Sequence, residues 1–335
     1  MGEVDVVEFV DVDVQWRGAV TFALDPTDDH DPIATWLRTQ PAIANEPIDV
    51  VLTYLAGLER PGRFVDVGAH LGTHALSAAT GGHDVIAIEA SPRNAQLMRL
   101  AAAHAGLDRI EVHNVFASSR SGTVPFLSDG PWGRRAEPAV VEAGYPVSQV
   151  RAVAVHRLLT ALRWPLPDLV KIDVEGVEPL ALAGMRPLLE RDDAPAIVVE
   201  SNPLMLEAQG GSVDALLGVL EKYGYELHLI DRTRTKTLVP IGSDFLQTDL
   251  VEDVLATKHK PALEGWTIAR RLTHGDLLER VLTTAASELP ESRLFAARVL
   301  RHAPYLVRHA EGRLALRTLA QDTDDRVRAA AGNPI

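Results

Sequence analysis

Between residues 63 and 230 the chain alternates short apolar runs with longer, mostly amphipathic segments, and this rhythm limits the fold more than any other feature. Runs at 63–68, 84–89, 110–117, 169–173, 196–200 and 225–230 have the length and β-branched content of buried strands. Most of the segments between them are the right length for crossover helices. Such alternation calls for a mainly parallel sheet covered by helices on both faces. With a further run at 245–251, the spacing predicts a doubly wound α/β fold built on seven strands.

The first strand runs through Val65-Asp66-Val67 into the turn Gly68-Ala69-His70-Leu71-Gly72, and the second ends in Ile86-Ala87-Ile88-Glu89. In doubly wound folds a carboxylate at that second strand end stands beside the first turn. It can accept hydrogen bonds from both ribose hydroxyls of a nucleoside. The turn lacks the G-x-G-x-x-G of a dinucleotide site, and Asp66 would gain nothing from a pyrophosphate. A nicotinamide dehydrogenase is therefore disfavoured. An acidic strand followed by G-x-x-x-G suits a cationic nucleoside such as S-adenosylmethionine (SAM), which carries a sulfonium and an amino group.

At 335 residues the chain has room for one large α/β domain and a smaller appendage. Apolar residues are 46% and charged residues 24%, as in an ordinary soluble globular protein. No apolar run has the length of a membrane span. Glu3, Asp5 and Glu8 open the chain where a secretory signal would be basic and then apolar. There are no cysteines, which excludes disulfides, thiolate metal sites and a cysteine nucleophile, and a cytoplasmic location is expected. A net charge of −13 repels polyphosphate backbones, so neither nucleic acid nor membrane is expected as a partner. The sequence leaves the oligomeric state open.

Val10, Val12 and Val14 alternate with Asp11, Asp13 and Gln15 ahead of Arg17-Gly18, which predicts an N-terminal hairpin. The following loop, Asp28-Asp29-His30-Asp31, reads as a solvated acidic segment, although metal binding is conceivable there. Pro47 suits the first turn of a helix whose apolar face is Ile48, Val51, Leu52, Leu55 and Leu58. A second short helix is expected from near Leu71, and others follow Ser91-Pro92, span about 179–190 and follow Ser212. The segment 118–150 is rich in Gly, Pro and Ser, with Trp132 at its centre and edge strands expected around 124–126 and 150–155. Beyond residue 255 Leu, Ala and Arg dominate. Residues 316–334 resemble one unit of a HEAT-like helical repeat, and a plain helix hairpin is the equal alternative. The expected division is a hairpin and lead-in at 1–45, a main domain at 46–255 and a helical module at 256–335.

Taken together, these residues resemble the FkbM-type SAM-dependent methyltransferases. The likeness runs through Asn45-Glu46-Pro47, Phe64 to Gly72, Ile88-Glu89-Ala90-Ser91-Pro92-Arg93-Asn94, Asn114, Val170-Lys171-Ile172-Asp173-Val174-Glu175-Gly176-Val177-Glu178 and Ile197 to Glu200. It covers roughly residues 20–250. The sequence departs from the family at His70, where asparagine is usual, and at Ala154 to Leu159, where a Thr-Leu-Asp-Asp type segment is common. The resemblance implies a class I, Rossmann-like methyltransferase fold and O-methylation of hydroxyls on sugars, polyketides or related secondary metabolites. N- or carboxyl-methylation on the same scaffold is a second reading. A SAM-binding scaffold without turnover, with its C-terminal helices docking a protein, is a third.

On this reading Asp66, Gly68, Ala69 and Gly72 cradle the methionine half of SAM, and Glu89 holds the ribose. Ala90, Ser91, Asn114 and Phe116 border the adenosine, and Glu46 either faces the methionine amine or favours the helix N-terminus through the dipole. Asp173 and Glu175, after the fourth strand, orient or deprotonate the acceptor, with Lys171 as a partner. Four histidines, His70, His74, His113 and His156, are candidate bases, and His70 is the one inside the turn. Asp173, Glu200 and Asn202 would offer oxygen ligands to Mg²⁺ from neighbouring strand ends, by analogy with other O-methyltransferases of this fold. The 118–150 loop and the C-terminal helices are expected to select the acceptor.

Overall fold

The N-terminal alternation forms β1 (Glu8–Val14) and β2 (Ala19–Leu24), an antiparallel hairpin with Val12 opposite Val20. A two-residue strand, β3 (Ala42–Ile43), joins its other side. The computed structural model describes residues 6–332 apart from 16, 29, 128–132, 137–140, 146 and 262. Between β2 and β3 lies helix α1 (Pro32–Thr39), capped by the Asp31 side chain. Helix α2 (Glu46–Ala56) follows, with Asn45 as its cap. It stops at Gly57, earlier than the Pro61-Gly62 pair that the sequence offers as its terminator.

The central sheet begins with β4 (Arg63–Val67), β5 (Asp84–Glu89) and β6 (Ile110–Asn114), all parallel. Helices α3 (Ala75–Thr80) and α4 (Pro92–His104) make the crossovers, and α4 packs on β2. Helix α3 starts at Ala75, not near Leu71, because Gly68, His70 and Gly72 have φ of +82°, +52° and +89°. Left-handed residues cannot sit in a right-handed helix. The run at 110–117 is also split. Asn114 donates its amide to the carbonyls of Glu89 and Ala90, both at 2.9 Å, and the chain then leaves the sheet. Phe116 and Ala117 become β7 of a second sheet, in the order β7, β10 (Ser148–Val153), β8 (Gly122–Leu127), β9 (Arg134–Arg135).

The chain returns to the central sheet on the far side of β4, as β11 (Leu169–Ile172) and β12 (Ala196–Ser201). The helix expected over 179–190 breaks at Met185 into Glu178–Gly184 and Arg186–Leu189, where Pro187 cannot continue the hydrogen-bond ladder. The remaining strands are β13 (Glu226–Ile230), β14 (Thr237–Ile241), β15 (Glu252–Thr257) and β16 (Thr267–Ile268).

The sheet therefore has nine strands in the order β16-β14-β13-β15-β12-β11-β4-β5-β6, with β15 antiparallel to both neighbours. This corrects the expected count of seven strands. The α/β class stands and most pairs are parallel, but the sheet is mixed, because β15 runs antiparallel between β12 and β13 and β14 folds back on β13. The run at 245–251 is not a strand. Phe245, Leu246 and Leu250 pack against the C-terminal helices instead. The strand that follows this run is β15, which extends past residue 255.

Helices His274–Ala285, Pro290–His302, Ala310–Leu319 and Asp325–Ala331 share a separate apolar core around Val281, Leu300, Leu306 and Val327. Arg280 ties them to the sheet by ion pairs to Asp249 and Glu252, its Nε lying 3.1 Å from Asp249 Oδ2. The side chains of Arg280 and Glu252 are 12% and 2% exposed. Burial raises the Glu252 carboxyl, and Arg280 is the main group that opposes the shift. Arg280→Met leaves that carboxylate buried with only the weaker influence of Arg232 to oppose its charge. It should cost about 3 kcal/mol in urea unfolding at pH 8. The deficit should shrink at pH 5, where Glu252 takes up a proton in the variant; a deficit independent of pH would show that the pair carries no charge stabilisation.

Candidate functional site

The strand order reverses between β4 and β11, and their carboxyl ends open a cleft, where open α/β sheets place their ligands. The two chains leave the sheet almost in contact. A Cβ on Gly68 would lie 1.7 Å from the carbonyl oxygen of Asp173, so no other residue fits there. The N–H groups of Gly68 and Ala69 both donate to the Ile88 carbonyl, at 2.9 and 3.1 Å. This bends the turn over the end of β5. His70 then donates its backbone N–H to Glu89 Oε2 at 2.8 Å, and Ser91 donates to Oε1 at 2.7 Å. Burial raises the Glu89 carboxyl, while His70 and these two N–H groups act against the rise.

Across the cleft, Asp173 follows β11 and receives Lys171 Nζ at 2.9 Å. Burial alone would raise its carboxyl, but Lys171 holds it below the usual range. Glu175 has φ +54°, an uncommon conformation for a residue with a side chain. Burial pushes its carboxyl up to about 7, helped by the charges of Asp173 and Glu178. Glu200, near the end of β12, is raised well above its ordinary value by burial, then by Asp173, Asp253 and Glu175. Oxygens of Asp173, Glu175 and Glu200 lie within 4.8 Å of one another. Glu178 locks the turn beneath them, accepting from the N–H groups of Val174 and Gly176 at 3.0 and 3.1 Å.

The cavity has a volume of about 270 Å³. Ile33 and Trp36 from α1, with Asn45, Pro47 and Ile48 at the start of α2, line one side. Phe116 and Phe126 of the second sheet line another, their rings edge to face at 6.5 Å. Arg134, Arg232 and Asp253 complete the lining, and Arg232 pairs with Asp253. Among the described residues, none beyond Asp253 lines the cavity. The C-terminal helices therefore take no part in the wall, contrary to their expected share in acceptor selection.

Of the residues singled out in the sequence, Gly68, Ala69, His70, Glu89, Ala90, Phe116, Asp173, Glu175 and Glu200 meet on this wall. Others stand behind it. Asp66 is fully buried under the turn, 3.9 Å from Lys171 Nζ, and burial raises its carboxyl to about 6. Gly72 packs on Leu76 and Met98. Ser91 caps α4 and Asn114 braces the end of β5. Glu46 is the first residue of α2, beside the lining residues Asn45 and Pro47. Asn202 Oδ1 caps the helix Pro203–Ala208 by accepting from Met205 N–H. The third carboxylate beside Asp173 and Glu200 is Glu175.

Among the histidines, His74 lines the cleft with its Nε2 buried and unpartnered, and burial drives its pKa down to about 3. His70 Nε2 lies 3.1 Å from Asp31 Oδ2, a charge contact that lacks the alignment of a hydrogen bond. His113 pairs with Glu111, and His156 bonds the Gly184 carbonyl; both are off the wall. In the acidic loop, Asp28 binds Arg93 and Asp31 caps α1, while Asp29 and Trp132 lie outside the described residues. Trp36, Phe126, Arg232 and Asp253 were not foreseen. The period-3.6 pattern of α1 was the available signal for Trp36; the others reach the cleft only through antiparallel pairing and the second sheet.

The donor set fits SAM. The Gly68 cradle admits backbone where a side chain would block it, Glu89 presents a buried carboxylate at the strand end, and the orphaned His74 nitrogen faces the same space.

A sequence model described as the methyltransferase FkbM domain matches residues 66–227. No curated protein matches the chain in sequence. Solved structures similar to it include a precorrin-6y C5,15-methyltransferase from Geobacter metallireducens, 16% identical over 63% of this chain and 87% of that one, with a TM-score of 0.36. A SAM-dependent O-methyltransferase from Thermotoga maritima is 15% identical over 74% and 77%, with a TM-score of 0.35. The bifunctional kinase-methyltransferase WbdD is 14% identical over 71% and 45%, with a TM-score of 0.42. The chain thus carries a methyltransferase FkbM domain over residues 66–227 and is a SAM-dependent methyltransferase.

Proposed function

We propose that this methyltransferase acts on a hydroxyl oxygen of a small-molecule acceptor bound in the cleft. The observation that carries the reading is the group of Asp173, Glu175 and Glu200 at the strand ends, facing the glycine turn. When bound, SAM supplies the methyl group as an activated sulfonium. The protein's part is to align the acceptor and remove its proton. Asp173, kept ionised by Lys171, orients the hydroxyl. Glu200, whose carboxyl burial raises well above its ordinary value, stands beside Asp173 with their oxygens within 4.8 Å. Glu175 is the proton acceptor, because its carboxyl titrates at about 7, where a base is both available and strong enough. Phe116, Phe126 and Trp36 provide apolar walls for a ring or chain. The second sheet, more than the C-terminal helices, shapes acceptor choice.

The same carboxylates could chelate a divalent ion, but Lys171 already pairs with Asp173 and burial disfavours the charged form of Glu200. The expectation is that exhaustive dialysis against a chelator leaves turnover unchanged. Activity lost on dialysis and restored by Mg²⁺ would instead make the group a metal site.

Two further outcomes are expected. Calorimetry should show SAM and S-adenosylhomocysteine binding to the wild type, and Glu89→Gln should weaken both by roughly ten- to a hundredfold, the worth of a charged hydrogen bond. In methyl-transfer assays with a panel of hydroxylated acceptors, turnover should rise with pH through about 7 as Glu175 ionises, and fall away below it. Glu175→Gln should lose most of the rate and this dependence together. Transfer only to amines or carboxylates in the panel would overturn the choice of oxygen acceptor, and no transfer to any acceptor despite SAM binding would favour a scaffold.

A further inference from the structure

The cofactor wall depends on a residue outside the matched domain. Asp31 is 3% exposed. Its Oδ1 caps α1, accepting from the N–H groups of Ile33 and Ala34 at 2.8 and 3.1 Å. Its Oδ2 lies 3.1 Å from His70 Nε2. The loop that carries it is itself tied down, with Arg93 bound to Asp25 and, at 2.9 Å, to Asp28. His70 sits at φ +52°, a conformation that costs free energy in a residue with a side chain and persists only when its surroundings hold it. That conformation aims the His70 N–H at Glu89 Oε2.

We propose that Asp31 is a positioning residue of the cofactor site: it fixes the His70 ring, the ring fixes the strained turn, and the turn fixes the carboxylate of Glu89. The N-terminal segment is then part of the methyltransferase site, not an appendage to it. The inference rests on Glu89 being the ribose-binding group. His70 is faced by Asp31 from the start of α1, by Glu89 from β5, and by Asp173 and Glu175 from the turn after β11. Burial alone would lower the His70 pKa, but Asp31, Glu89 and Asp173 raise it overall. The imidazolium is thus the form that grips Asp31. The grip needs both charges: it is lost as pH rises through the raised His70 pKa and also as pH falls through the lowered Asp31 pKa.

The test is Asp31→Asn in the full chain. Asparagine caps a helix as well as aspartate does but brings no charge to His70. SAM binding by calorimetry should weaken by about tenfold, with turnover at saturating SAM within about twofold and the thermal midpoint nearly unchanged. The pH above which SAM affinity falls should move down. His70→Asn keeps a residue that tolerates positive φ. In that background Asp31→Asn should add little. Asp31→Ser, also a cap without charge, should repeat the result and serves if the asparagine variant folds poorly. The proposal is overturned if wild type binds SAM and either variant binds it equally well. It is also overturned if affinity, turnover and thermal midpoint fall together. If wild type itself ignores SAM, the cofactor reading fails instead.

Discussion

The site rests on one close approach, between the α-carbon of Gly68 and the carbonyl of Asp173. Strands β4 and β11 are hydrogen-bonded neighbours whose following segments diverge to opposite sides of the sheet. At their ends the two backbones nearly touch, with no room for a methyl group. This contact sets where the glycine turn begins, and so which N–H groups reach Glu89. It also sets where Asp173 and Glu175 emerge. The glycine-turn side and the carboxylate side of the cleft are therefore built on the same contact.

The cleft is unusual in its charge. Asp66, Glu89, Asp173, Glu175, Glu200 and Asp253 crowd the strand ends, against Lys171, Arg232 and His70. Crowded buried acids cannot all ionise readily, and burial raises the carboxyls of Asp66, Glu89, Glu175, Glu200 and Asp253. A cationic nucleoside entering such a site would find carboxylates already desolvated and short of counter-charge. That is a physical reason for an acidic strand to precede this glycine turn.

Much of this was readable from residue order. The strands 63–67, 84–89, 169–172 and 196–201, the cap at Ser91 and the turn at Gly68 follow from local patterns. Where reading failed, tertiary partners competed for the same residues. The apolar run at 245–251 suits a strand, yet Phe245 and Leu250 are taken by the helical core. Asn202 suits a metal, yet its oxygen is used by a helix N-terminus. His70 suits a base, yet Asp31 holds its ring. Each of these side chains has more than one good use, and only the assembled neighbours decide which one it has.

By itself the sequence determined that the chain forms an α/β sheet with a nucleoside-type turn and carboxylates at the strand ends, because these depend on period, glycine placement and spacing. The tertiary structure decided the nine-strand mixed sheet, the grouping of Glu175 with Asp173 and Glu200, and the engagement of the N-terminal segment through Asp31. These last features join residues far apart in the chain. Their energies come from burial and from charge pairing in a shared low-dielectric space, which no local pattern encodes.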